Sequence, residues 1–167
     1  MTPSTPARKT GRRSGRGQVV VRSELRPALV RHARVERPRE CCGLLVGRGR
    51  HVQFAVPVAN IASNPARYRV DDASHITLRR TLRAFVPPLE IVGVYHSHPQ
   101  GAAWPSERDV RDALYPDWIH FIVGLGGRKP DVRAFRLRNG RIQPLRIVWS
   151  PGRPRRSRRT RSVLRSS

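Results

Sequence analysis

EIVGVYHSHPQGAAWPSERD, residues 90–109, decides how the chain is read. Its first half is an apolar run ended by Pro99, the pattern of a buried strand. Side chains alternate faces along a strand, so His96 and His98 project to the same side about two residues' rise apart, where two imidazoles can reach one ion. Taken alone, the pair reads better as a strand end with two partly exposed histidines, and other residues must decide. QGAAWP then turns the chain, and SERD has the signature of a helix start, with Ser106 as N-cap and Asp109 in the first turn. Such a capping pair is worth about 1 kcal/mol. Capping does not exclude chemistry. A first-turn aspartate directed back at the strand end would complete a His, His, Asp set, three ligands with the fourth tetrahedral position open, as catalytic zinc sites require. A water in that position needs a general base, and Glu40, just ahead of the apolar CCGLLVG, is the best candidate. Its plain alternative is a surface carboxylate paired with Arg37 or Arg39, which is worth little.

Outward from this stretch, a helix is predicted from about Ser23 to Val35, with Ser23 as its N-cap, followed by a strand in CGLLVG. HVQFAVPVAN alternates like a strand. Ile76, Leu78, Leu82 and Phe85 recur near helical spacing until Pro87 and Pro88 intervene. SERDVRDAL reads as a short helix, WIHFIVGLG as another buried strand, and DVRAFRLRNGRIQPLRIV as a hairpin turning at Asn139 and Gly140. The sum is an α/β fold, a mixed β-sheet with flanking helices and no internal repeat.

The chain of 167 residues is 38% apolar, which suits one domain with one core. Its formal charge of +23 is concentrated at the ends. Residues 1–18 carry five basic side chains and residues 151–167 carry seven, with no acidic one in either, so 22 basic and 11 acidic residues remain between them. These ends are Pro/Gly/Ser/Arg mixtures that cannot bury enough apolar surface to order themselves, and they are expected as solvated tails flanking a domain over 19–150. Basic tails can attract nucleic acid through counterion release. No aromatic residue interleaves with the arginines here, so nucleic acid is not the expected primary partner. No apolar run approaches the roughly 18 residues of a membrane span. Arg12 and Arg13 invite a twin-arginine export reading, but SGRGQVVVRSELRP lacks the apolar region that must follow. Adjacent Cys41 and Cys42 cannot build an ordinary disulfide framework, and a reducing cytoplasm is the expected location.

Glu40, then GLL, then His96-Ser97-His98-Pro99 with Ser106 and Asp109 seven and ten positions beyond Pro99 together resemble the JAMM/MPN+ metalloprotease family. The match is complete at every position of that long, asymmetric motif. VANIASNPARYRVD and HFIVGLGGRKPDVRAFRLRNG also look like its small bacterial members, so the resemblance covers residues 19–150. It implies an MPN/JAMM architecture, similar to that of cytidine deaminases. It implies Zn²⁺ held by His96, His98 and Asp109, proton transfer by Glu40, and an oxyanion hydrogen bond from Ser106. The implied substrate is a peptide or isopeptide bond after the C-terminal tail of a ubiquitin-like protein, in small bacterial members a sulfur carrier. Deaminase chemistry itself is excluded, because H-x-E and P-C-x-x-C are both missing. A basic nucleic-acid-associated protein, or a protein–protein scaffold with a structural zinc, are the alternatives from other classes.

Other residues read more simply. Cys41 and Cys42 are expected to pack as small hydrophobes. His120 is expected to be a strand histidine satisfied by a local hydrogen bond, and His32, His51 and His75 have no visible partner. Trp104 fits a site rim and plain packing equally. Asn60 and Tyr68 receive no role.

Overall fold

The computed structural model describes residues 17–151. The expected basic tails therefore lie outside the described residues, except for Gly17, Gln18 and Pro151. Among the described residues the strands are β1 (Gln18–Arg22), β2 (Cys42–Arg48), β3 (His51–Val58), β4 (Glu90–His98), β5 (Ile119–Gly124), β6 (Asp131–Arg138) and β7 (Arg141–Ser150). The helices are α1 (Leu25–Val35), α2 (Asp72–Leu82) and α3 (Glu107–Arg111).

The strands close into a barrel in the order β1-β3-β2-β4-β5-β6-β7. This corrects the expected sheet with flanking helices: parallel and antiparallel pairings are mixed, but the sheet has no open side and the helices are few. Closure comes from β1, which pairs parallel with both β3 and β7. Its alternating pattern buries Val19 and Val21 completely. The predicted hairpin is present as β6–β7, with Asn139 at φ 50° and Gly140 at φ 72°, the left-handed pair that a two-residue turn of type I′ requires.

One core cluster joins Leu25, Leu29 and Ala33 of α1 to Val19, Leu45, Tyr95 and Phe121. The α1 helix starts at Leu25, not at Ser23, and Glu24 at its N-cap makes no side-chain capping bond. The Ser23 N–H instead donates to the Ser150 carbonyl, extending the β1–β7 ladder by one residue before the helix begins. On α2, Asp71 is the N-cap and accepts from the Ser74 N–H at 2.8 Å. The periodic set divides: Leu82 is buried with Val46 and Leu89, Leu78 packs beside them, and Ile76 and Phe85 remain 53% and 47% exposed.

β4 lies between β2 and β5. It runs antiparallel to β2, with Cys42 opposite His96, and parallel to β5, with His96 beside Ile122. That register continues past Cys42, because the Ser97 N–H donates to the Cys41 carbonyl and the Cys41 N–H donates to Ser97 Oγ. Glu40 thus falls opposite His98, on the same face as both histidines. The close β4–β5 approach needs Gly93, since a Cβ there would run into the Ile119 backbone.

Candidate metal centre

The strand end and the start of α3 bring three ligand types together. His96 Nε2 lies 3.2 Å from His98 Nε2 and 3.2 Å from Asp109 Oδ1, and His98 Nε2 lies 3.4 Å from Asp109 Oδ2. Ligands about 2.0–2.1 Å from a tetrahedral zinc sit about 3.3 Å from one another, and the separation of the two imidazole nitrogens is close to that edge, while Asp109 reaches the two histidines through different oxygens. His96, His98 and Asp109 are also the group of described residues whose ligand atoms could hold a metal ion.

Their orientation is set by neighbours. His98 Nδ1 is 3.0 Å from the Ala102 carbonyl, which can only accept, so Nδ1 carries a proton and Nε2 is the nitrogen that would offer its lone pair to a bound ion. Asp109 is fixed by a capping box: its Oδ2 accepts from the Ser106 N–H at 2.7 Å and from Ser106 Oγ at 2.8 Å, while its own N–H donates to Ser106 Oγ at 3.2 Å. Oδ1 is left pointing at His96. His96 is fully buried, and the Tyr68 ring stacks on it at 4.3 Å with an interplanar angle of 17°. No described residue partners His96 Nδ1.

A cavity of about 750 Å³ opens beside this cluster, lined by Glu40, Tyr68, Ser106, Asp109, Trp118 and His120 among others. Burial raises the Glu40 carboxyl above the usual range, against the opposing attraction of His96 and His98. Burial pulls Asp109 the same way, yet the hydrogen bonds from His96 and His98 prevail and hold it well below the usual carboxylate range. Burial works to lower His98, but its hydrogen bonds to Asp109 and the Ala102 carbonyl leave it raised.

A profile described as prokaryotic homologs of the JAB domain matches residues 22–138. The chain belongs to this family. Over 139 residues this JAB domain is 32% identical to the CysO-cysteine peptidase of Mycobacterium tuberculosis, covering 78% of this chain and 91% of that protein. It is 34% identical over 118 residues to a probable TtuB-protein conjugate cleaving protease of Thermus thermophilus, covering 70% and 74%. A solved structure from Desulfitobacterium hafniense matches at TM-score 0.74 and 26% identity, over 81% of this chain and 94% of that one. A JAB1/MPN domain protein from Archaeoglobus fulgidus matches at TM-score 0.50 and 19% identity, over 80% and 100%, a likeness of fold alone.

Beyond the motif, this JAB domain gives Asn60 a clear position. Its side chain donates to the Glu40 carbonyl at 2.8 Å and the Arg67 carbonyl at 2.7 Å, and accepts from the Ala62 and Arg69 N–H groups at 3.0 Å each. The loop that carries Tyr68 is thereby tied to the residue beside the ligands. An Asn in a loop is too common a feature to announce this from sequence. Trp104 packs edge-on against Phe135 at 5.3 Å and does not line the cavity. Cys41 and Cys42 are free and buried, and burial pushes their thiols up to about 11 and about 12. His120 overturns its expectation. It is 4% exposed, and neither ring nitrogen has a hydrogen-bond partner among the described residues. Its backbone is taken up by the β5 ladders, and the cavity wall around it is formed by Leu44, Val94 and Trp118. Burial first, and the charge of His96 second, push its imidazole down to about 4, so the ring is neutral at pH 7.

Proposed function

We propose that the chain is a zinc-dependent metallopeptidase of the JAMM type, hydrolysing the bond after the C-terminal tail of a ubiquitin-like protein such as a sulfur carrier. The observation that carries this reading is the convergence of His96, His98 and Asp109, whose facing atoms lie within 3.4 Å, with a desolvated carboxyl, Glu40, on the same face. The donors suit zinc: two neutral imidazole nitrogens and one carboxylate oxygen, supplied by His96, His98 and Asp109. When bound there, zinc lowers the pKa of a coordinated water and polarises a carbonyl.

The chain's own groups supply the remaining chemistry. Glu40, whose carboxyl burial raises above its ordinary range, takes the proton of the attacking water and returns it to the leaving amine. Ser106 offers its hydroxyl to the developing oxyanion, which requires it to turn its proton away from Asp109 Oδ2. Tyr68 covers the His96 ring and narrows solvent access to it. The substrate class rests on the family resemblance and is supported by the names of the relatives, a CysO-cysteine peptidase and a TtuB-protein conjugate cleaving protease.

A scaffold with a structural zinc is disfavoured, because such sites are closed by four protein ligands and only three converge here among the described residues. The test combines elemental mass spectrometry of the purified protein with cleavage of a ubiquitin-like substrate ending in Gly-Gly-X. About one zinc per chain and cleavage that stops on chelation are expected. Zinc without cleavage of any such substrate would favour the scaffold, and no zinc would remove the mechanism.

A further inference from the structure

The two ligand histidines are supported unequally. His98 gives its Nδ1 proton to the Ala102 carbonyl, whereas His96, which also turns Nε2 toward the other ligands, has no described partner for Nδ1. A metal-ligating imidazole normally donates its second N–H, which fixes the ring and raises its basicity. An orphaned, fully buried N–H is also costly by itself.

The sheet brings one candidate acceptor close. Val94 stands beside His120 in the parallel β4–β5 register, so His96 and His120 are diagonal neighbours on one face. The two rings are not in direct hydrogen-bond contact, because neither His96 Nδ1 nor either His120 nitrogen has a partner among the described residues, so a link between them passes through an intervening group such as a water. His120 brings two further buried nitrogens without described partners, one of them an acceptor in the neutral ring. Three unpaired nitrogens on adjacent strands are better explained together than separately, because buried polar groups are nearly always hydrogen-bonded.

We propose that His120 is a positioning residue for His96, accepting its Nδ1 proton at the end of a short hydrogen-bond chain as the Ala102 carbonyl accepts that of His98. The proposal rests on His96 being a metal ligand. Nothing in the motif includes His120, and it touches no substrate in this role.

The experiment measures zinc affinity by chelator competition for wild type, His120→Leu and His120→Gln, with the thermal midpoint of each apoprotein. Leu removes the acceptor and Gln keeps one. His120→Leu is expected to bind zinc roughly 10- to 100-fold more weakly, the usual effect of losing such a partner, with an apoprotein at least as stable as wild type, while His120→Gln recovers most of the affinity. Equal zinc affinity in all three proteins overturns the proposal, as does an equal loss in Leu and Gln, which would indicate packing alone. Nitrogen-15 NMR of the zinc-loaded wild type tests the same hydrogen bond without any variant. A slowly exchanging proton on His96 Nδ1 is expected, and a rapidly exchanging one overturns the proposal. About one zinc in the wild type preserves the metal-site reading whatever the His120 variants do.

Discussion

Ser106 and Asp109 hold each other from both sides: the serine hydroxyl accepts the Asp109 N–H and donates to Asp109 Oδ2, and the same carboxylate oxygen accepts the Ser106 N–H. One pair of residues thus starts α3 and aims Oδ1 at His96. Ser106→Ala should therefore lose about 1 kcal/mol of stability with the cap. Turnover should fall by roughly 10² to 10³ with the oxyanion donor. Thermal melts and steady-state rates measured on the same preparation check both; a loss of stability with unchanged turnover would confine Ser106 to capping.

Asp109→Asn separates ligation from capping. The amide oxygen can still accept from Ser106, so α3 should survive, but the anionic ligand is gone and zinc should dissociate at least 10-fold more readily. Circular dichroism and zinc content decide it, and stoichiometric zinc in this variant would remove Asp109 from the ligand set.

Glu40→Gln keeps shape and deletes the base. Zinc content and melting temperature should stay near wild type while turnover of the Gly-Gly-X substrate drops by roughly 10² to 10⁴. Wild-type turnover in this variant would make the JAMM mechanism wrong for this protein.

Gly124→Ala tests the support behind His98. A Cβ at Gly124 would meet the backbone of Ala102 and Ala103, and the Ala102 carbonyl is the acceptor for His98 Nδ1. Overpacking of this kind costs about 1–3 kcal/mol. The expected result is a lower melting temperature together with weaker zinc binding, although no ligand has been changed; zinc affinity equal to wild type would mean that His98 orients without that loop.

The cysteines set a pH signature. Burial pushes Cys41 from 9.0 up to about 11 and Cys42 from 9.0 up to about 12, so the fold favours their neutral thiols. Their contribution to stability is complete below pH 9 and is lost as pH rises toward 11–12, because only the unfolded chain ionises readily in that window. At pH 8 a thiol reagent should label native protein far more slowly than denatured protein, and Cys41→Ala/Cys42→Ala should flatten the alkaline decline. Rapid labelling of the native protein would contradict the burial.

Much of this was legible in local pattern. The bounds of β4 follow from an apolar run ended by Pro99, α3 from the Ser106 cap, and the β6–β7 turn from Asn139-Gly140. The ligand set was legible because a strand of period two and a capped helix start each place their residues by short-range rules. Barrel closure was not. The strand character of Gln18–Arg22 depends on pairing with β7, where Arg146 bonds to Gln18 across 128 residues of sequence. Helical spacing in α2 likewise could not tell that Leu82 is buried and Ile76 exposed, since that depends on where Val46 and Leu89 lie. The missing partners of His120 are a property of its neighbours on other strands, which no window around WIHFIVG contains.

The strand directions have a practical consequence for tethering. β4 and β5 are parallel, β6 reverses, β7 reverses again, and β1 runs parallel to β7, so β4, β7 and β1 all point the same way around the barrel. His96 and His98 stand at the far end of β4, whereas Ser150, the far end of β7, pairs with Arg22 of β1, which is in register with the opening residues of β3. Ser150 lines a hollow with Arg48 and His51 at the β2–β3 turn, where the Gly49 N–H bonds to Glu90 at the start of β4, so an affinity tag or fused partner attached after Ser150 starts out away from His96 and His98.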